Sequence, residues 1–205
     1  MPKNSIRRNQ MRSHLAYLAA RLMAEGGIRD FAQAKQKAAR QAGVPDTHSL
    51  PDNREIEEAL RTYQALYQQG EHQAVLTHLR EQALHLMELF ETFNPYLVGS
   101  VLTGTAGRYS DISLHLFCDN AKDVEIFLLN RNLAYETGLR RTRLGDRQIE
   151  APTLTLDFAG IEATLTVFRT DDLRVTPKHR ADGRPVERAR AAQVRALLSE
   201  TRESG

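Results

Sequence analysis

The chain has 205 residues, 41% hydrophobic and 26% charged, with a net charge of only +2; this is the composition of a folded chain and excludes disordered and collagen-like classes. No apolar run approaches the roughly 18 residues of a membrane span, the basic start MPKNSIRRNQMRSH lacks the apolar core of a signal peptide, and the lone Cys118 rules out an internal disulfide and any cysteine-rich zinc site. A reducing, cytoplasmic setting is the expectation.

Taken in chain order, the first half reads as helices. Ser5 is placed to cap a helix over 5–26, whose Ile6, Leu15, Leu18 and Leu22 recur at helical spacing before Gly26-Gly27 stops it. Asp30 caps a second helix over 31–42, ending at Gly43 with Pro45 beyond, and carrying Lys35, Lys37 and Arg40 on its surface. VPDTHSLPDN is a loop by its Pro, Asp and Ser content. A third helix covers 53–69, with Ile56, Leu60, Tyr63 and Leu66 as its apolar stripe. A fourth covers 71–93, with Val75, Leu79, Leu84, Met87 and Phe90 as core candidates, and Asn94-Pro95 ends it.

The second half changes period. YLVGSVL is strand-like, and DISLHLFC alternates strictly, placing Ile112, Leu114 and Leu116 on one face and Asp111, Ser113 and His115 on the other. His115 is expected to be a satisfied, half-buried residue. AKDVEIFLLNRN predicts a helix with Val124, Phe127 and Leu128 inward, and 134–142 a strand. PTLTLDFAGIEATLTVF predicts a hairpin turning at Ala159-Gly160, so that Phe158 faces Ile161, Leu156 faces Ala163 and Leu154 faces Leu165. Its polar face collects Thr153, Thr155, Asp157, Glu162, Thr164 and Thr166. Residues 169–186 are a polar connector, and 187–200 a short amphipathic helix with Val194, Leu197 and Leu198. The fold class is therefore α/β (α+β), a mixed sheet preceded by a helical region. Three parts are expected: 1–93, 94–173 and 174–205.

Charge is uneven along this order. Residues 1–43 hold nine Lys and Arg against two acids, net +7; residues 44–168 are net −8, and 169–205 net +3. Either the basic helices face the acidic middle or solvent, or they touch a polyanion such as RNA. No aromatic interleaving accompanies the basic residues.

Two features carry chemistry. The hairpin register sets Asp157 opposite Glu162, a repulsion that solvent, a proton or a cation must relieve. Should Asp111 share their sheet, the three carboxylates converge on one cleft, where Mg2+ is held by a few carboxylates plus phosphate oxygens. Beside them, Gly99, Ser100 and the stretch Thr103-Gly104-Thr105-Ala106-Gly107 form a small-residue loop whose N–H groups can approach a phosphate.

Together, Gly99-Ser100, ten intervening residues and Asp111-Ile112-Ser113-Leu114 resemble the nucleotidyltransferase-fold superfamily, DNA polymerase beta-like, over about residues 93–170. The N-terminal helices are also similar to those of a group of small proteobacterial proteins with such a domain, a likeness that assigns no activity. The resemblance implies that Gly99 and Ser100, with Thr103, Gly104 and Ser113, bind nucleotide, and that Asp111 is the first metal ligand. Ser113 stands where the family has its second acid and Thr164 where it has its third, with Asp157 or Glu162 as substitutes for the latter. The implied cofactors are Mg2+ and a nucleoside triphosphate. The implied activity is transfer of a nucleoside monophosphate to an acceptor, RNA or protein, met through the basic N-terminal helices. The alternative is a catalytically degenerate module that binds nucleotide or RNA and regulates, and a third reading is an interaction protein that kept only the fold. A serine hydroxyl cannot offset a dication as a carboxylate does, which favours the second over the first.

Overall fold

The structure, a computed structural model, describes residues 3–44, 50–67, 69–178 and 183–203. It is α+β, a helical N-terminal region followed by a mixed sheet with flanking helices. Chain contacts divide it into two compact units, Met1–Gln73 with Gly107–Tyr109, and Ala74–Ala106 with Ser110–Gly205. Most of the fourth helix thus belongs with the sheet, not with the helices before it.

The first unit contains α1 (Lys3–Gly26), α2 (Phe31–Gln41), α3 (Asn53–Tyr67) and the start of α4 (Gln69–Leu89). Ser5 does not cap α1, since Lys3 and Asn4 before it are already helical. Asp30 does cap α2, its Oδ1 accepting from the Gln33 N–H at 2.7 Å. Residues 45–49 of the expected loop, Pro45 included, lie outside the described residues. At the head of α3, Asp52 Oδ1 accepts from Glu55 N–H at 2.9 Å while Glu55 Oε2 accepts from Asp52 N–H at 2.6 Å. This reciprocal box satisfies two N–H groups that the helix leaves open. Arg12 of α1 closes on the same Glu55 at 2.7 Å, tying the cap to a neighbouring helix. The core here is small: Ala16, Ala19, Ala34, Ala38 and Ile56. Ile56, Leu60 and Tyr63 are buried as the stripe predicts, but Leu66 is 70% exposed.

In the second unit, α4 runs into a 3-10 turn at Glu91–Phe93, and Asn94 ends it in the left-handed region (φ 47°) ahead of Pro95. The elements that follow are β1 (Tyr96–Val98), α5 (Ser100–Thr103), β2 (Ile112–Phe117), α6 (Ala121–Asn130), β3 (Glu136–Leu144), β4 (Arg147–Phe158), β5 (Ile161–Phe168), β6 (Pro177–Lys178) and α7 (Ala191–Glu203). Only the first three residues of YLVGSVL form the expected strand. Gly99 takes φ 76° and ψ −159°, a conformation closed to L side chains, and redirects the chain into the single turn of α5.

The sheet order is β1-β2-β5-β4-β3-β6. β2 and β5 are parallel; the other neighbours are antiparallel. The β4–β5 hairpin has the predicted register, Phe158 with Ile161, Leu156 with Ala163 and Leu154 with Leu165. Ala159 (φ 54°) and Gly160 (φ 80°) supply the two positive φ angles that a tight two-residue turn needs. One face of the sheet carries the core. Ile112, Leu114, Leu116, Ala163 and Leu165 lie fully buried with Leu86 and Phe90, with Val124 and Leu128 of α6, and with Val194 of α7. Each such Leu or Ile contributes about 1.5–3 kcal/mol by leaving water, so this face holds the sheet, while the opposite face carries polar groups and a smaller buried cluster of Tyr96, Phe117, Ala151 and Phe168.

Candidate functional site

That opposite face is ordered in rows, because residues abreast in register point the same way. Nearest the β4–β5 turn stand Asp157 and Glu162, directly paired. Asp111 immediately precedes Ile112, and Glu162 immediately precedes its parallel partner Ala163. The next row is Val98, Ser113, Thr164, Thr155 and Glu136; the one after is Tyr96, His115, Thr166, Thr153 and Gly138. Aromatic residues follow: Phe117 and Phe168, which cluster with Tyr96 and Ala151.

Asp111 and Ser113 meet, the Ser113 hydroxyl donating to Asp111 Oδ2 at 2.9 Å. Gly99 borders them, since a Cβ built there falls 3.8 Å from Ser113 Cβ. Thr164 lies directly beside Ser113 across the parallel pair. So Gly99, Asp111, Ser113 and Thr164 form one corner. Asp157 is turned elsewhere: its Oδ1 accepts from the Gly160 N–H at 2.9 Å and closes the hairpin turn, and both it and Glu162 are exposed. Among the described residues no group of three His, Cys, Asp or Glu gathers as a metal site. The carboxylates present therefore do not fit a two-ion pair, and Asp111 is the one acid at this corner that could contribute to holding a Mg2+ ion.

The loop after Gly99 differs from its expected use. The Ser100 carbonyl accepts from the N–H groups of Gly104, Thr105 and Ala106 at 3.0, 3.0 and 3.1 Å. The Gly99 carbonyl accepts from Leu102 and Thr103 at 3.1 and 3.0 Å. Those donors are spent on the loop itself and are not turned to a phosphate. Gly104 ends the turn with φ 84°, and the Thr103 hydroxyl pairs with that of Thr105 at 3.2 Å. Arg80 of α4 holds the loop from beneath. It is 7% exposed, and its guanidinium donates to the carbonyls of Val101 at 3.2 Å and Leu102 at 3.4 Å. Burial lowers its pKa from the usual guanidinium value. Nothing in the local pattern of α4 distinguishes Arg80 from a surface arginine.

His115 is not the satisfied residue expected. It is 6% exposed, packs edge-on against Phe168 with centroids 4.8 Å apart, and its Nδ1 is buried without a hydrogen-bond partner. Burial, then the nearby charges of Arg140 and Arg188, push its pKa down to about 3, so the imidazole is neutral. These arginines come from β3 and from the connector before α7, and sequence reasoning did not single them out.

In the N-terminal unit, the basic excess is partly matched internally. Arg12 pairs with Glu55 and Asp52, and Arg21 with Glu25. Lys37 and Arg40 remain on the exposed side of α2, as expected. No described helix is long and apolar enough to cross a membrane.

Fold and site together define a mixed α+β protein whose sheet keeps one face for its main core and lines the other with acids, hydroxyls and a buried aromatic cluster in turn, with Arg140 and Arg188 near the aromatic end. No protein-family model matches the chain, and no curated protein matches it either.

Proposed function

We propose that the chain is a nucleotidyltransferase-like protein that binds a nucleoside triphosphate at the Gly99–Asp111–Ser113 corner and has given up two-metal transfer, acting as a nucleotide-responsive regulatory or adaptor module. The observation that carries this reading is the company Asp111 keeps. Its neighbours are the Ser113 hydroxyl at 2.9 Å and, beside that serine, Thr164, where the resemblance implies two further acids. Support also comes from the order of parts: β1 leads through Gly99-Ser100 to Asp111 at the head of β2, and the later strand β5 lies parallel beside β2. Mg2+ bound by Asp111 would neutralise phosphate charge, and Ser100 and Ser113 would add hydroxyl donors. An RNA or protein partner would meet the N-terminal helices; affinity for RNA that does not fall with salt counts against the RNA form.

Calorimetric titration of ATP, with and without Mg2+, tests the reading in the wild-type chain and in Asp111→Ala. The expected result is binding whose Mg2+-dependent part is lost in the variant. No binding under either condition refutes it. Transfer of labelled nucleotide to RNA or protein in the presence of Mg2+ returns the chain to an active transferase, with Asp111 and Glu162 as the carboxylates to test first.

A further inference from the structure

On the same sheet face, away from the acid end, Arg140 and Arg188 lie near a buried neutral histidine. Tyr96, His115, Thr166, Thr153 and Gly138 lie abreast on β1, β2, β5, β4 and β3. Arg140 stands two residues beyond Gly138 on β3, opposite Ala151. Arg188 lays its guanidinium 5.0 Å from the Tyr96 ring centroid and 5.8 Å from that of Phe117. Its Nη2 donates to the Leu173 carbonyl at 2.8 Å, but its Nη1 is buried with no acceptor. Arg190 donates through Nε to the Tyr96 hydroxyl at 2.7 Å.

Several arginines of the sheet-bearing unit have carboxylate partners, whereas these do not. In the same unit Arg141 pairs with Glu150, Arg143 with Asp146, Arg147 with Asp172 and Arg195 with Glu88. Among the described residues no carboxylate pairs with Arg140, Arg188 or Arg190. Aromatic faces relieve part of a guanidinium's charge, but they offer no lone pair to an in-plane N–H, and a buried donor without an acceptor is costly. His115 adds a second buried polar atom without a partner beside Arg140 and Arg188.

We infer that Arg188 and Arg140, with His115 at the floor, form a binding site for a phosphate oxyanion on this face of the sheet. A phosphate group offers several acceptor oxygens to guanidinium N–H groups, which match its geometry bidentately. It would give Arg188 Nη1 its missing acceptor, and Thr153 and Thr166 are hydroxyl donors in the same row. Its negative charge would also reverse the field at His115, so that anion binding and protonation of this imidazole become linked. The site shares no residue with the Gly99–Asp111–Ser113 corner, and it stands whether or not that corner binds nucleotide.

The test follows the His115 imidazole by NMR in the full chain while pyrophosphate is added at constant ionic strength. Saturable displacement of the His115 signals and a rise of about one unit or more in its pKa are expected. Arg140→Gln and Arg188→Gln should each weaken pyrophosphate binding about tenfold or more, while Arg141→Gln, at a neighbouring arginine already paired with Glu150, leaves it unchanged. Arg140 is exposed, so its variant tests the site even if Arg188→Gln fails to fold. AMP binding with the same arginine dependence supports a nucleotide phosphate as the source. Binding of a short 5′-phosphorylated oligonucleotide but not AMP supports a strand end. An unmoved His115, an equal response to acetate, or unchanged affinity in Arg140→Gln overturns the proposal.

Discussion

His115 makes the chain's stability depend on pH in a calculable way. Its ordinary pKa of 6.5 falls to about 3 in the folded state, chiefly through burial and then through Arg140 and Arg188. The groups that face it are Tyr96 of β1, Thr166 and Phe168 of β5, Arg140 of β3 and Arg188 of the connector, and none of them is acidic. A group whose folded pKa is depressed keeps its proton off in the native state. The unfolded chain takes the proton up as pH falls below 6.5, so folding loses stability from there until the native imidazole itself titrates near 3. Each unit between the two values is worth about 1.36 kcal/mol. Between about pH 7 and about pH 5 this one residue therefore removes about 2 kcal/mol, a large part of the roughly 5–15 kcal/mol of a typical domain. The assay is urea unfolding at both pH values for the wild-type chain and for His115→Leu. Carboxylates contribute equally to both proteins and cancel in the comparison. The wild-type chain should lose about 2 kcal/mol more than the variant over that interval. An equal loss in both proteins would show that His115 takes up its proton while folded, and the reasoning from burial would fail.

Two structural variants bear on the loop and on the register. Arg80→Met removes both hydrogen bonds that hold the Val101 and Leu102 carbonyls and should cost about 1.5–3 kcal/mol in urea unfolding; it should also lower nucleotide affinity at the Gly99 corner if that corner is the site. Gly160→Val forces a β-branched residue to φ 80° and should destabilise by about 1–2 kcal/mol, with amide exchange accelerating first at the tip of the β4–β5 hairpin. A Gly160→Val protein as stable as the parent would mean that the turn does not hold this conformation in solution.

Much of this molecule is local, and the local parts were legible in the sequence. Strand periodicity is two residues, so the alternation in DISLHLFC and the Ala159-Gly160 turn were enough to assign faces and pair Leu154 with Leu165. Asp30 caps α2 because the bond it makes reaches only to Gln33. The box formed by Asp52 and Glu55 is equally local, its two carboxylates three residues apart in the chain. What the chain does beyond its neighbours was decided by tertiary structure. Glycine at 99 permits a sharp redirection but does not demand one, so the strand's early end depended on where α5 and Arg80 settle. Whether Asp111, Asp157 and Glu162 gather depended on where each side chain finds its hydrogen bond, and Asp157 finds Gly160 instead. The surroundings of His115 come from β3 and from the connector, residues 140 and 188 of the chain, and no spacing within DISLHLFC encodes them. Hydrogen bonds across a turn and the pleat of a strand are set by nearest neighbours in the chain, and so the sequence alone determined them. Burial, charge and the meeting of side chains on a sheet face depend on distances through space, and only the fold decided those.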